Sequence, residues 1–176
     1  MKREIEALEA KPPIDPTVPI LRVIGLEAVL FAGYLVLPIG ERAWLVSLVV
    51  GALAIVIGVG LATRRGRALI HSDRPVIDAA IALSLFLTLL LVGFSSIYYA
   101  MATHGHDFSG LVTRLDALYF TVTTVATVGF GDVVPVSQWG RFVVTIQMVF
   151  DLTFVAVSFR LLGAVAQERH ESSRTI

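Results

Sequence analysis

Four long apolar runs, near Ile20–Leu37, Trp44–Ala62, Val76–Ala100 and Arg141–Leu162, decide most of what this chain can fold into. Each approaches the roughly 20 residues an α-helix needs to cross about 30 Å of hydrocarbon. A fifth apolar stretch, Asp116–Ala126, is about half the spanning length and fits a buried or re-entrant helix better than a crossing.

Composition agrees. With 56% hydrophobic residues over 176 positions and only 16% charged, and a mean hydropathy of +0.80, the chain is too apolar for an ordinary soluble domain. It contains no cysteine, which excludes disulfides, thiolate catalysis and cysteine-based metal sites. A formal net charge of zero gives no bulk electrostatic case for nucleic-acid binding. The charged start of the chain, followed by Pro12 and Pro13, lacks the basic region, apolar core and cleavage site of a signal peptide.

Lysine and arginine set the expected orientation. Of the 14, only Arg42, Arg114 and Arg141 fall outside if both ends and the Thr63–Pro75 stretch are cytoplasmic. The positive-inside rule then places both termini in the cytoplasm and the Thr127–Asp132 segment on the outer side. The expected organisation is a cytoplasmic N-terminal segment (1–19), two peripheral transmembrane helices (20–63), a basic linker (64–75), a two-helix unit (76–163) and a short cytoplasmic tail (164–176). Arg64, Arg65 and Arg67 form a juxtamembrane patch suited to anionic lipid. No span carries arginine or lysine at every third position, so a voltage sensor is not expected.

Thr127-Val128-Gly129-Phe130-Gly131-Asp132 follows the Thr-rich run Tyr119–Ala126 and lies between the last two apolar runs. Thr-Val-Gly-aromatic-Gly resembles the selectivity filter of potassium channels. A dehydrated cation needs oxygen ligands at close range, and a ring of backbone carbonyls supplies them with little net charge. Aiming successive carbonyls at one axis requires backbone conformations open mainly to glycine, hence Gly129 and Gly131. Val128 and Phe130 are expected to point away from that axis, and the helix before the loop to shield it from lipid. One chain supplies one wall of such a ring, so a homotetramer is expected.

The region from about Val76 to Leu162, roughly half the chain, is similar to the pore module of bacterial potassium channels. The likeness is best over Tyr119–Arg141, where Val133, Val134 and Pro135, and then Trp139, Gly140 and Arg141, continue the pattern. It implies ion sites at Thr127, Val128, Gly129, Phe130 and Gly131, with Thr123, Thr124 and Asp132 as filter support. Three positions depart from it. Phe130 replaces the commoner tyrosine and lacks its hydroxyl, Thr123 stands where some relatives have a buried acid, and Asp151 stands where a hinge glycine would fall.

Asp151 lies mid-helix in an apolar stretch that also holds Gln147. Such a group faces either a cavity or a partner. The favoured expectation is that it lines the water-filled cavity below the filter, and the alternative is a hydrogen bond to Gln147, Thr153 or a neighbouring subunit. Val155 and Phe159 share a stripe with Leu152. Phe159 is a candidate hydrophobic constriction, with ordinary packing as the alternative. Glu27 is expected to face protein or snorkel, and His104 and His106 to sit in a solvated outer loop.

The fold class expected is therefore an all-α membrane protein, with four transmembrane helices, a re-entrant pore helix and a filter loop around a homotetrameric pore. The expected function is potassium-selective passive conduction, with permeant K⁺ and no cofactor. A weakly selective Na⁺/K⁺ channel and a non-conducting regulatory subunit are the rivals. A transporter is disfavoured because no repeated halves are visible. An enzyme is disfavoured because no nucleophile–base or metal constellation can be assembled.

Overall fold

A computed structural model describes residues 17–36, 44–68 and 75–172. Lys2, Arg3, Lys11 and Arg74 lie outside the described residues, as do the side chains of Arg64, Arg65 and Arg67. The described chain is an all-α membrane protein: α1 (Thr17–Val36), α2 (Trp44–Ala68), α3 (Pro75–Gly105), α4 (Arg114–Val125) and α5 (Gln138–Ser172), with two-residue strands β1 (Phe108–Ser109) and β2 (Val134–Pro135).

Three helices are long and apolar enough to cross a membrane, over Thr17–Val36, Val76–Gly105 and Gln138–Arg160. The second expected crossing is a helix of 25 residues whose described apolar part, Leu45–Gly58, is shorter than a crossing. The structure thus supports three of the four expected spans by length and composition. The helical backbone of α2 also runs on through Arg64, Arg65 and Arg67 to Ala68, so the start of the basic stretch is helix, not loop.

α2 packs on α3 through glycines. A Cβ on Gly51 would stand 2.5 Å from the Gly93 carbonyl oxygen, and one on Gly93 would stand 2.8 Å from Ile55 Cγ1. Small residues at a crossing let two backbones approach closely, which is how apolar helices gain packing contacts in lipid. α1 is fastened differently. The Tyr34 hydroxyl donates to the Arg114 carbonyl at 2.8 Å, and the Arg114 guanidinium donates to the Tyr34 carbonyl. The same guanidinium lies over the rings of Tyr34 (5.8 Å) and Tyr99 (5.2 Å). One end of the first helix is thereby tied to the first residue of α4.

The core gathers where α3, α4 and α5 meet. Tyr98, Phe108 and Phe120 form a mutual aromatic triangle with centroids 5.2–5.5 Å apart, joined by Leu90, Phe94, Ala117, Val133 and Val144. Phe94 meets Phe150, and Phe86 stacks on Phe154, so aromatic contacts hold α3 along α5.

The strands define the topology of the loop. β1 leaves α3 and β2 leads into α5, and they pair antiparallel with Phe108 opposite Pro135 and Ser109 opposite Val134. Everything from Gly110 to Val133 is thus an excursion that returns to its starting point. α4 has 12 residues and rises about 18 Å, well short of a crossing. It begins with a capping box: Asp116 N donates to Thr113 Oγ1 (3.1 Å), and Thr113 N donates to Asp116 Oδ2 (2.7 Å). Val112 N donates to the same carboxylate oxygen at 3.0 Å.

Candidate ion-conduction site

α4 ends by turning the following peptides back onto itself. Thr127 N donates to the Thr124 carbonyl (2.9 Å), and Val128 N and Gly129 N both donate to the Thr123 carbonyl (2.9 and 3.3 Å). In a trans peptide the C=O points opposite to the N–H, and no cis bond occurs among the described residues. The carbonyls of Thr127 and Val128, which share planes with the N–H groups of Val128 and Gly129, are therefore directed away from the helix. They face the exposed side of the loop, where residues 127–132 are all solvent-accessible in the single chain.

The backbone alternates. Thr127, Gly129 and Gly131 have φ of 57°, 54° and 81°. Glycine takes this left-handed region freely, as the sequence led us to expect at 129 and 131. Thr127 does not, and a β-branched residue held there marks a loop that its surroundings force into shape. The two N–H bonds onto Thr123 and the one onto Thr124 supply that force, which gives both threonines a definite part in loop geometry. Thr123 is buried, its hydroxyl donating to the Phe120 carbonyl at 2.9 Å, as the Thr124 hydroxyl does at 2.8 Å.

Asp132 has a partner that sequence reasoning missed. The Tyr119 hydroxyl donates to Asp132 Oδ2 at 2.9 Å, and Val133 N donates to Oδ1 at 3.1 Å. The Tyr119 ring also lies parallel to Phe130, with centroids 6.3 Å apart and planes at 5°. One tyrosine on α4 therefore braces both the aromatic of the loop and the acid after it. At the start of α4, hydrogen bonds from Thr113 and Val112 hold the Asp116 carboxyl below the usual carboxylate range.

Of the two expectations for Asp151, the structure shows the hydrogen-bonded one: the residue is only 5% exposed within the subunit. Its Oδ2 accepts from Gln147 Nε2 at 3.2 Å. The reason is helical register: Val144, Gln147 and Asp151 recur at three and four residues and form the buried stripe of α5 that faces α3 and α4. Leu152, one position on, is rotated by about 100° and is exposed. Val155 and Phe159 are also exposed in the single chain, Phe159 by 73%, so these two candidates remain on an open face. α5 is continuous from Gln138 to Ser172, without a break at position 151.

Glu27 is half-buried on α1, with Oε1 unpartnered. His104 and His106 are exposed near the end of α3. No group of three or more metal-binding side chains occurs among the described residues.

Two long helices, α3 and α5, are thus joined by a short helix and a loop whose Thr127 and Val128 carbonyls face away from it. The protein-family model described as "Ion channel" matches residues 85–168, which takes in most of α3, the whole excursion and nearly all of α5. The chain is 30% identical over 86 residues to "Two-pore potassium channel 5" of Arabidopsis thaliana, an alignment covering 47% of this chain and 20% of that protein. It is 35% identical over 74 residues to "Calcium-gated potassium channel TvoK" of Thermoplasma volcanium, covering 42% of this chain and 21% of that one. The chain thus spans about a fifth of the length of these relatives. No solved structure matches it. α1 and α2 lie outside the region that the family model matches.

Proposed function

We propose that this protein is a potassium-selective channel, four copies of which surround a pore lined by the carbonyls of Thr127, Val128, Gly129, Phe130 and Gly131. The observation that carries the proposal is the loop geometry: left-handed φ at every second residue from Thr127 to Gly131, with N–H groups bonded back to α4. That arrangement frees backbone oxygens on the face that no part of the same chain covers. A single chain forms one quarter of a ring, so the site is complete only in a closed oligomer. Exposed Trp139, Phe142, Val149 and Leu152 on α5 supply apolar surface for such an assembly or for lipid. The relatives' printed names, both potassium channels, support K⁺ as the permeant ion.

In this reading the outer mouth lies at β1 and β2, both termini are cytoplasmic in a plasma membrane, and Arg64, Arg65 and Arg67 meet anionic lipid at the inner surface. Thr123, Thr124 and Asp132 support the filter, and Val155 and Phe159 line the inner part of the path. Ions move passively, bound by enough carbonyls to shed water and by too little charge to be trapped. The test is the reversal potential of purified protein in planar bilayers under opposed KCl and NaCl gradients. A potential near the K⁺ equilibrium value is expected. A value near zero identifies a weakly selective cation channel, and protein that forms tetramers yet passes no current identifies a non-conducting subunit.

A further inference from the structure

Behind α4 lies a polar chain that the conduction path does not use. The Tyr98 hydroxyl on α3 donates to Gln147 Oε1 at 2.5 Å. The Gln147 amide nitrogen in turn reaches two acceptors, Asp151 Oδ2 at 3.2 Å and the Thr121 carbonyl of α4 at 3.4 Å. Ser95 on α3 donates to the Thr121 hydroxyl at 3.0 Å, which donates to the Ala117 carbonyl at 2.8 Å. Ser95, Tyr98, Thr121 and Gln147 are completely buried.

One atom is left over: Asp151 Oδ1 is buried with no hydrogen-bond partner. An ionised carboxylate only accepts, whereas the acid form carries a hydrogen on one oxygen, and Oδ1 is the vacant position for it. Tyr98 is the titratable group that faces Asp151 from α3. α4 presents the neutral Thr121, and α5 itself presents Gln147. Gln147 Nε2 carries two hydrogens and serves both acceptors here, so the protonation state of Asp151 sets how far the amide is drawn towards it. The anion draws Nε2 to itself by a charge-assisted bond, at the expense of the longer contact to Thr121. The neutral acid releases Nε2 to the helix that backs the conduction loop.

We propose that Asp151 binds and releases a proton inside each subunit, and that this proton decides whether Gln147 holds α4 in place behind the Thr127–Gly131 loop. The proposal rests on the channel reading above. Conduction is sustained when Asp151 is neutral and declines when it ionises.

The experiment is rubidium tracer uptake into proteoliposomes over a pH series, with equal pH on both sides. Wild-type flux is expected to fall at least about fivefold from the acid to the alkaline limb, the ratio that one hydrogen bond in one subunit supports. Asp151→Asn, which cannot ionise, is expected to hold the acid-limb flux throughout. Tyr98→Phe deletes the donor that anchors Gln147 and weakens its bond to the anion. It is expected to move the midpoint up by about one pH unit, and it tests the coupling even if Asp151→Asn does not fold. A carboxylic-acid infrared band that titrates in wild type and is absent from Asp151→Asn is the companion signature, and failure to find it overturns the proposal. A pH profile unchanged in both variants overturns it too while leaving the channel intact. No flux from any of the three proteins at any pH overturns the channel reading and the proposal together.

Discussion

Replacing Gly129 by alanine isolates the cost of backbone conformation. Gly129 has φ of 54°, and a Cβ built there meets nothing within 4 Å in the subunit. The added methyl therefore clashes with nothing in its own chain, and the penalty is the left-handed conformation itself, about 1–2 kcal/mol for an L-residue. Thr127, at φ 57°, already carries one such cost, so a second falls on a loop that is strained at its base. Each subunit then holds the loop geometry about 5- to 30-fold less well. In the proposed ring of four acting together the loss is about 4–8 kcal/mol, enough to empty a conducting state. The loop lies outside the core, so folding and assembly are expected to persist. Rubidium flux per tetramer should be abolished, with an unchanged elution volume and unfolding midpoint. Gly110→Ala is the contrast: at φ 80° its Cβ would stand 2.3 Å from the Asp132 carbonyl oxygen, and both assays should fail. Wild-type flux from Gly129→Ala would refute the claim that the left-handed backbone at 129 is what makes the loop conduct.

Tyr119→Phe keeps the ring beside Phe130 but removes the donor to Asp132, so single-channel records should show briefer openings with unitary conductance preserved. Gly51→Val forces α2 away from the Gly93 carbonyl, and thermal unfolding in detergent should show a loss of about 1–3 kcal/mol. Thr113→Ala removes the N-cap of α4 and should cost about 1 kcal/mol, read by hydrogen exchange of residues 114–125. The Asp116 carboxyl is held below its ordinary value in the fold, so its contribution is complete above about pH 4. It is lost as pH falls through the lower folded value. Asp116→Asn should flatten that acid limb of the melting curve.

The apolar runs and the Thr127–Asp132 motif made the helical membrane fold, the short helix and the loop legible, because each rests on a local rule of length or composition. Gly129 and Gly131 were readable for the same reason, since positive φ favours one residue type. Thr127 was not, because its conformation is imposed by the Thr123 and Thr124 carbonyls and not by its own chemistry. Two surroundings stayed open for Asp151 because a helix turns about 100° per residue, and a mostly apolar run offers few polar positions from which to fix its rotation. Tyr119 sits in a Thr-rich run, yet only folding brings its hydroxyl to Asp132, 13 residues away. The bond between Tyr34 and Arg114 spans 80 positions and had no local signature.

The pairing of Phe108–Ser109 with Val134–Pro135 also bears on mechanics. It rivets the two long helices together at the end where the loop leaves and returns, so they cannot slide lengthwise past each other there. The freedom left to them is a pivot, with displacement growing toward the far ends like the blades of a fan. On the channel reading proposed above, such a pivot displaces the helix ends beyond the Phe86–Phe154 contact most, without disturbing the spacing of the loop.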